Sequence, residues 1–422
     1  MTKPTLAPFG FIPVGSLLIE QQQEDLSAVY GSVLEKIGGR WLDIETISEP
    51  LPLFYLVATG GSERKILDLR KDRERTSPGE PVLLVAHPGN NSLPAALEVL
   101  ARLQQEGDRG KILYLKGPDD TDGLRQIALA AEDTNALLRM RRSRIGLVGN
   151  PSDWLVASSP SPDTVIKSWG PKIVAIGLDE LEAAIESVPK EALEAPLDAL
   201  VSGAASVHEP TRDDLTEAVR VFLAMKDLVD EHRLGAVSVR CFDLVTKRHT
   251  TGCLALAWLN DEGIVAGCEG DLASALTLLW IQMLLGQTAW MANPAGIDTS
   301  RNTLRLAHCM VPLQMTNRFS LRSHFESGLG VSIQGVLENG PVTLARIGGQ
   351  NLDRLWLAEG NIIGTEPDER LCRTQVGVQL TDDETASMLL GQPLGNHLVL
   401  TAGHHVNQLR NWWKMMIKKE EG

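Results

Sequence analysis

Four short segments in the last third of this 422-residue chain each place a chemically active side chain beside small residues. The side chains are Glu269 in GCEGD, Asn293 in MANP, His308 in AHC and His397 in GNH. Each segment lies at the edge of an apolar run, where small neighbours let a side chain leave a strand end and enter a cleft. A carboxylate or an imidazole can transfer protons there or contact a polar ligand. We therefore expect the four segments to form one site.

In this order and with these neighbours, the segments resemble the C-terminal half of the L-fucose isomerase family, and more weakly the L-arabinose isomerases. The resemblance extends over essentially the whole chain and is stronger after Cys241 than before it. It implies a Mn²⁺ (or Mg²⁺) ion held by Glu269, Asn293 and His397, with His308 as a further ligand or as support behind the ligands. It also implies catalytic roles for Glu269 and Asn293, although Asn293 stands where the family has an aspartate.

The chemistry implied by this resemblance is proton transfer between C2 and C1 of an open-chain sugar, with charge building on O1 and O2. A divalent cation stabilises that charge, and a carboxylate on each side can act as base and acid. We therefore expect an aldose–ketose isomerase acting on a deoxy or anionic sugar, with Glu269 as both ligand and acid/base. Metal-assisted aldol cleavage would pass through the same enediolate and is a second possible reaction.

Asn293 is the departure from that mechanism. Its carbonyl oxygen can coordinate a cation, but its amide cannot accept a proton. The second proton transfer then needs another group, and the candidates are Asp271, Asp298, His308 or a metal-bound hydroxide. The alternative function is a non-catalytic sugar- or metabolite-binding homologue that has lost its second catalytic carboxylate.

Other polar segments suit contacts with a substrate. The segment SHFESG (323–328) contains His324 and Glu326, which fit sugar hydroxyls or else belong to a β-turn. Arg373, in LCRTQ, can bind an anionic sugar through its guanidinium or pair with a surface acid. Trp154 can stack on a sugar face or be a partly buried surface residue, and we expect His404 and His405 to cap or pack the last helix.

The loop HPGNNS (87–92), which contains Asn91, follows a predicted strand and precedes a predicted helix. This junction at the carboxyl edge of a parallel sheet is where α/β domains bind ligands, so Asn91 is a substrate-binding candidate. The resemblance implies that such a loop reaches the metal of a neighbouring subunit. It therefore implies a homo-oligomer, a trimer or a hexamer, with the active site between subunits.

The first third of the chain alternates apolar strands with amphipathic helices, starting with a strand over residues 9–19. This alternation predicts a doubly wound (Rossmann-like) α/β domain over residues 1–141. A second such domain is predicted over residues 142–286. It contains Glu269, a helix capped by Thr211, a strand at residues 254–258 and a buried apolar helix at residues 272–285.

The sequence pattern changes after Gly286, where short predicted strands alternate with turns that contain Gly, Asn and Pro. This pattern predicts a β-rich, barrel-like domain over residues 287–422, which carries Asn293, His308 and His397. The predicted fold class is therefore α/β, with two Rossmann-like domains followed by a barrel-like domain. The same layout is expected of an L-fucose isomerase-like protein.

The composition limits the classes of molecule that this protein is expected to bind. A formal net charge of −14 argues against nucleic acid, because duplex binding needs a basic face. The longest apolar run is too short for a bilayer, and the opening residues MTKP lack the profile of a signal peptide. Five scattered cysteines without a CxxC pair argue against a disulfide framework or a zinc finger, and we expect most of them to be buried thiols in a reducing compartment. We expect a cytoplasmic protein whose partner is a small-molecule sugar and which binds neither nucleic acid nor a membrane.

Overall fold

The structure is a computed structural model that describes residues 7–16, 20–381 and 386–417. The opening MTKP and residues 17–19 of the predicted first strand lie outside the described residues. The fold is mixed α/β, as predicted, and divides into two compact units. The first unit comprises residues up to 139 together with those from 410 onward, and the second unit comprises residues 140–409.

The first unit is built on a five-stranded sheet in which every strand pair is parallel and the order is β2-β1-β3-β4-β5. Its elements are β1 (Phe9–Val14), α1 (Glu20–Lys36), β2 (Gly39–Trp41), β3 (Leu53–Val57), α2 (Glu63–Thr76), β4 (Val82–Ala86), α3 (Ser92–Gln105), β5 (Gly110–Tyr114) and α4 (Thr121–Arg142), which continues past the division at residue 139.

Two apolar cores cover the two faces of this sheet. On one face, residues of alternating strand positions such as Tyr55 and Leu84 pack with α2 and α3. On the other face, their neighbours Phe54 and Leu83 pack with α1 and α4. Because both faces are buried, the strands read as continuous apolar runs, and the helices on both sides make this a doubly wound sheet.

The second unit begins with a four-stranded parallel sheet of order β10-β9-β6-β7. Its strands and helices are β6 (Arg144–Val148), α5 (Pro162–Trp169), β7 (Lys172–Ile176), α6 (Leu178–Ser187), α7 (Glu194–Gly203), β8 (Ser206–Val207), α8 (Arg212–Glu231), β9 (Ala236–Val239), α9 (Phe242–Arg248), α10 (Cys253–Asp261), β10 (Val265–Cys268) and α11 (Leu272–Leu285).

A closed six-stranded antiparallel barrel follows, of order β11-β12-β17-β16-β15-β18. A three-stranded sheet, β14-β13-β8, completes the second unit. The elements are β11 (Ala289–Asp298), β12 (Thr303–His308), β13 (Thr316–Arg322), β14 (Ser332–Leu337), β15 (Pro341–Gly348), β16 (Arg354–Ile363), β17 (Thr374–Leu380), α12 (Ser387–Gly391), β18 (Leu398–Ala402) and α13 (Val406–Met416), which crosses into the first unit at residue 410.

Helix α11 is the apolar helix predicted at residues 272–285. Every residue from Leu272 to Ile281 is buried, because the helix packs against both the parallel sheet and the barrel. None of the helices in the described part of the chain combines the length and the apolar character that a membrane span requires.

Two local predictions had different outcomes. The cap predicted at Thr211 is confirmed as a capping box at the start of α8. The hydroxyl of Thr211 accepts a hydrogen bond from the backbone N–H of Asp214, and the carboxylate of Asp214 accepts one from the backbone N–H of Thr211. The strand predicted at residues 254–258 is wrong, because these residues lie inside α10. A short continuous apolar run is compatible with a buried strand or a buried helix, and here the helix is buried on nearly all sides.

Candidate metal centre

Three of the predicted side chains meet in the second unit. Glu269, His308 and His397 are all buried, and one ligand atom from each lies within 4.8 Å of the other two. Glu269 follows β10, His308 is the last residue of β12, and His397 directly precedes β18. The parallel sheet therefore supplies the carboxylate and the barrel supplies both imidazoles, which is a group that could hold a metal ion.

The backbone at Glu269 adopts the left-handed conformation, which is uncommon for a residue with a side chain. Its φ angle is 64°, and that of the following Gly270 is 69°. A Cβ atom on residue 270 would lie 2.8 Å from the Cα of Pro151, so only glycine fits beside that loop. The backbone N–H of Ser152 donates to the carbonyl of Glu269 at 2.8 Å. A strained residue held by its surroundings is typical of functional sites.

Asp271, two residues later, orients one of the imidazoles. Its carboxylate caps α11 by accepting hydrogen bonds from the backbone N–H of Ser274 at 2.7 Å and from its hydroxyl at 2.8 Å. The same carboxylate accepts a hydrogen bond from Nδ1 of His397 at 2.8 Å. Because a carboxylate only accepts, Nδ1 carries a proton and Nε2 is the nitrogen that faces Glu269. A carboxylate behind a histidine in this way fixes the ring of a metal ligand.

Arg346 balances the buried charge of Asp271. It is 1% exposed, and its guanidinium lies 3.2 Å from Oδ2 of Asp271. It also donates to the hydroxyls of Ser274 and Ser158. A Cβ atom on residue 395 would lie 2.4 Å from the same guanidinium. This lack of space explains why a glycine stands two residues before His397. A buried ion pair of this kind holds its geometry only while both partners are present.

The charges at the centre follow from these contacts. Burial opposes ionisation of Glu269, but the neighbouring His397 leaves the pKa of Glu269 lowered. Burial likewise opposes ionisation of Asp271, yet Arg346 and His397 hold its pKa far below its usual range. Burial would lower the pKa of His397, but the hydrogen bond with Asp271 and the nearby carboxylate of Glu269 raise it to about 9. Burial and the charge of His397 lower the pKa of His308 to about 4.

The unpaired nitrogen atoms test whether these residues fit a cation. Nε2 of His397 and both ring nitrogens of His308 are buried and have no hydrogen-bond partner within the described part of the chain. The contact between Nε2 of His397 and Oε1 of Glu269 is an ion pair at 3.5 Å rather than a hydrogen bond. Buried polar atoms normally have partners, so free imidazole nitrogens beside a carboxylate fit a divalent metal ion.

A cavity of about 320 Å³ opens beside these three residues, and Glu269 and His308 form part of its wall. Asn293, Asn396, His324, Phe325 and Glu326 also line it, together with Trp154, Phe242, Val245, Thr251 and the five cysteines. No lysine or arginine is among the described residues that line this cavity. Asn293 is half-buried, and its carbonyl oxygen accepts a hydrogen bond from the side chain of Asn396 at 3.2 Å.

Trp154 contacts the carboxylate directly. Its indole N–H donates to Oε2 of Glu269 at 2.5 Å, while half of the residue stays exposed. The ring packs edge-on against Phe242, and Phe242 in turn packs edge-on against His324. Trp154 is thus the partly buried residue of one predicted alternative, and it also lines the cavity. Stacking on a sugar face stays a prediction, and sequence reasoning missed the hydrogen bond to Glu269.

The other predicted groups have different surroundings. Arg373 lines a different cavity, donates to the carbonyl of Ser323 at 2.9 Å and pairs with Glu369 at 2.5 Å. Asp298 is at the far end of β11, where it accepts hydrogen bonds within its own turn from residues 300 and 301. Asn91 belongs to the first unit, where it precedes α3 with a φ angle of 52°. Asp271 is near the metal centre, but its partners leave it a positioning role.

The five cysteines, which are spread over 132 positions of the sequence, all line this one cavity and all are free. The Sγ atoms of Cys241 and Cys268 are 2.9 Å apart. Cys253 and Cys372 neighbour the thiol of Cys309. The sequence predicted buried thiols, and four of the five are buried. Their gathering at one site was not predicted.

Comparisons with known proteins give distant relatives. No protein-family model matches the chain. The chain is similar to the sulfoquinovose isomerase of Alkalicoccus urumqiensis, with 23% identity over 55% of this chain and 53% of that protein. It is similar to that of Clostridium sp. (strain MSTE9), with 24% identity over 54% of this chain and 52% of that protein. The enzyme of the same name from Priestia aryabhattai is 19% identical over 72% of this chain and 70% of its own.

The alignments with the first two relatives thus span about half the length of each. All three relatives are named as isomerases of one sugar, and none is named as an L-fucose isomerase. The similarity is therefore to sulfoquinovose isomerases at a distance, and the resemblance to L-fucose isomerases stays a prediction.

Proposed function

We propose that this protein is a metal-dependent aldose–ketose isomerase. The observation that carries the proposal is the convergence of Glu269, His308 and His397 within 4.8 Å, with imidazole nitrogens left unpaired beside a cavity. The relatives named sulfoquinovose isomerase support the same class of reaction. A binding protein without chemistry is less favoured, because it has no need of a buried carboxylate held in a strained backbone beside two free imidazoles.

The three residues would hold the metal ion, which we propose to be Mn²⁺ (or Mg²⁺), with the carbonyl oxygen of Asn293 as a fourth, neutral ligand. When bound, such a cation stabilises negative charge that develops on the sugar oxygens O1 and O2. Glu269 remains ionised at neutral pH, so its carboxylate can accept the C2 proton of an aldose. The N–H of Trp154 holds Oε2 of that carboxylate and thereby orients Oε1.

The second proton transfer needs a group in place of the missing aspartate, and Glu326 fits this role. Glu269 and Glu326 are the only carboxylates among the described residues that line the cavity. Glu326 is exposed where it lines the cavity, whereas the carboxylate of Asp271 is already occupied by Arg346, Ser274 and His397. We propose that Glu326 returns the proton to C1, and that His324 contacts sugar hydroxyls.

The sugar is proposed to be an aldose with a deoxy C6 end. Sulfoquinovose meets this description, since a sulfonate replaces its C6 hydroxyl. The relatives' name therefore favours the sulfonated sugar. The cavity favours a neutral one, because its described lining contains two carboxylates, aromatic rings and thiols but no lysine or arginine. Sulfoquinovose and quinovose, its neutral deoxy counterpart, are a matched pair of test substrates.

We also propose a homo-oligomer, a trimer or a hexamer, in which the loop with Asn91 reaches the active site of a neighbouring copy. This proposal comes from the resemblance to L-fucose isomerases. Light scattering coupled to size-exclusion chromatography measures the copy number. An Asn91→Ala variant that keeps the oligomer but weakens substrate binding would support the shared site, and a monomer with full activity would contradict it.

The test of the reaction is exchange of the substrate C2 proton with deuterated solvent, followed by NMR, with the ketose identified as product. We expect exchange and ketose formation after loading with Mn²⁺, and loss of both in Glu269→Gln with the circular dichroism spectrum unchanged. Exchange with cleavage products instead of ketose would replace isomerisation by aldol chemistry. Full activity in Glu269→Gln, or no exchange with any aldose, would contradict the proposal.

A further inference from the structure

The cavity wall contains a thiol pair that the proposed reaction does not use. Cys241 follows β9 and Cys268 ends β10, and these two strands are parallel neighbours in the sheet. Their Sγ atoms are 2.9 Å apart although 27 positions separate the residues in the sequence. Both sulfur atoms therefore meet because the sheet brings two strand ends together, and both residues border the cavity.

The position of this pair connects it with the metal centre. Cys268 is bonded directly to Glu269, whose φ angle of 64° is maintained by hydrogen bonds from neighbouring backbone groups. The carbonyl of Glu269 is held by Ser152, and the N–H of Gly270 donates to Val239 at 3.1 Å. A displacement of Cys268 must therefore be transmitted to the carboxylate-bearing residue.

We propose that Cys241 and Cys268 are a redox-sensitive modification site, which a peroxide converts to a disulfide and a thiol reductant restores. In the oxidation, one thiol attacks hydrogen peroxide to give a sulfenic acid and one water. The second thiol then displaces a second water from that sulfur and forms the S–S bond. Two thiols thus lose two protons and two electrons, and one hydrogen peroxide takes them up as two waters.

Oxidation then disables the metal centre. A disulfide holds its sulfurs at about 2 Å and fixes the dihedral angle between the two side chains, so closing a contact of 2.9 Å moves the sulfurs and pulls on the two strand ends that carry them. Ligand distances in metal sites lie within about 0.2 Å of their preferred values. Even a fraction of this movement at Cys268 takes the Glu269 carboxylate out of register with His308 and His397. The oxidised protein therefore binds its metal more weakly than the reduced protein.

The other three cysteines line the same cavity and could form an alternative disulfide. Cys309 neighbours both Cys253 and Cys372, and it directly follows His308. A disulfide there would also disturb the metal centre, so the site of oxidation must be mapped rather than inferred from loss of function. The close contact between Cys241 and Cys268 favours that pair, because it requires the smaller rearrangement.

The first experiment maps the bond in the unmodified protein. The reduced, metal-free protein is treated with hydrogen peroxide at one equivalent, alkylated, digested and analysed by mass spectrometry. We expect a cross-linked peptide pair containing Cys241 and Cys268, and thiol titration should fall from five thiols to three and return to five with dithiothreitol. Five remaining thiols, or disulfides that contain only Cys309 with Cys253 or Cys372, would overturn the proposal.

The second experiment measures the consequence, which rests on the metal site of the proposed function. We expect the affinity for Mn²⁺ to fall at least tenfold on oxidation and to recover on reduction. Cys241→Ser and Cys268→Ser should each remove the response to peroxide, whereas Cys372→Ser, the matched control on the same wall, should keep it. If the reduced protein binds no Mn²⁺, the proposed function is contradicted. The peptide mapping would still show whether Cys241 and Cys268 form a disulfide. Unchanged Mn²⁺ affinity after mapped oxidation would overturn the switch alone.

Discussion

The carboxylate of Asp271 accepts a hydrogen bond from Nδ1 of His397 at 2.8 Å, and the opposite nitrogen of the ring lies 3.5 Å from Oε1 of Glu269. The imidazole therefore sits between two buried carboxylates. Arg346 keeps the first of them ionised. In the metal-free protein a proton on Nε2 gives the imidazole the positive charge that faces Glu269, and a metal ion bound here would replace that proton.

Metal affinity should therefore depend on pH. The pKa of His397 is about 9, so Mn²⁺ must displace a proton from Nε2 throughout the neutral range. From roughly pH 6 to pH 8, below that pKa, the affinity for Mn²⁺ should rise about tenfold for each unit by which the pH increases. About one proton should be released for each ion bound. Calorimetric titration in two buffers of different ionisation enthalpy measures both quantities. An affinity that does not change with pH would show that His397 is not a ligand.

Asp271→Asn should damage both the metal centre and the fold. The substitution leaves Arg346 buried without its counter-charge, which costs about 3–5 kcal/mol of unfolding free energy. It also removes the anionic acceptor behind His397, which should weaken metal affinity about 10- to 100-fold. The matched control is Ser274→Ala, which keeps the ion pair and should cost only about 1 kcal/mol. Urea denaturation measures the unfolding free energy of both variants, and titration with Mn²⁺ measures their metal affinity. Equal losses in Asp271→Asn and Ser274→Ala would rule out a special role for Asp271.

Trp154→Phe should change catalysis and spare stability. The indole N–H stabilises the ionised form of Glu269, so its removal should raise the pKa of that carboxyl. The acid limb of the pH–rate profile, which reports ionisation of Glu269, should therefore move to higher pH. Because Trp154 is 50% exposed, the unfolding free energy should change by less than about 1 kcal/mol.

The control for Trp154 is Trp258→Phe, since Trp258 packs on Phe222 and does not line the cavity. It should leave the pH–rate profile in place. A Trp154→Phe variant with the profile of the unmodified protein would mean that the hydrogen bond to Glu269 does not influence the reaction.

Arg373→Met should not change the preference between anionic and neutral sugars. The guanidinium lies outside the metal-centre cavity and is already paired with Glu369 and with the carbonyl of Ser323. The values of kcat/KM for sulfoquinovose and quinovose should therefore change by the same factor. Arg322→Met is the control, because Arg322 pairs with the same Glu369. A loss confined to the sulfonated sugar would instead make Arg373 its anchor.

Local sequence signals were sufficient for much of the fold. The buried strands of the first unit are continuous apolar runs, and the start of α8 is marked by Thr211 and Asp214. The run at residues 254–258 failed because its apolar residues are compatible with a strand or with a helix buried on every side. Only packing in the second unit resolves that choice, and it favours α10.

The site could be predicted in part, because small residues beside Glu269, His308 and His397 mark each of them locally. The role of Asp271 could not, since it depends on Arg346 at a separation of 75 positions and on His397 at 126. The hydrogen bond from Trp154 to Glu269 spans 115 positions. Such contacts form only when the sheet packs against the barrel, so the spacing of residues along the sequence does not predict them.

Titration of the metal-stripped protein with Mn²⁺ is the most direct test of the central claim, that Glu269, His308 and His397 form a metal centre. We predict one saturable site that is lost in Glu269→Gln and tightened in Asn293→Asp, because the added carboxylate strengthens the ligand set. Glu326→Gln, a carboxylate on the same cavity but outside the group of three, should keep the site. No binding by the unmodified protein, or binding that survives Glu269→Gln, would contradict the account.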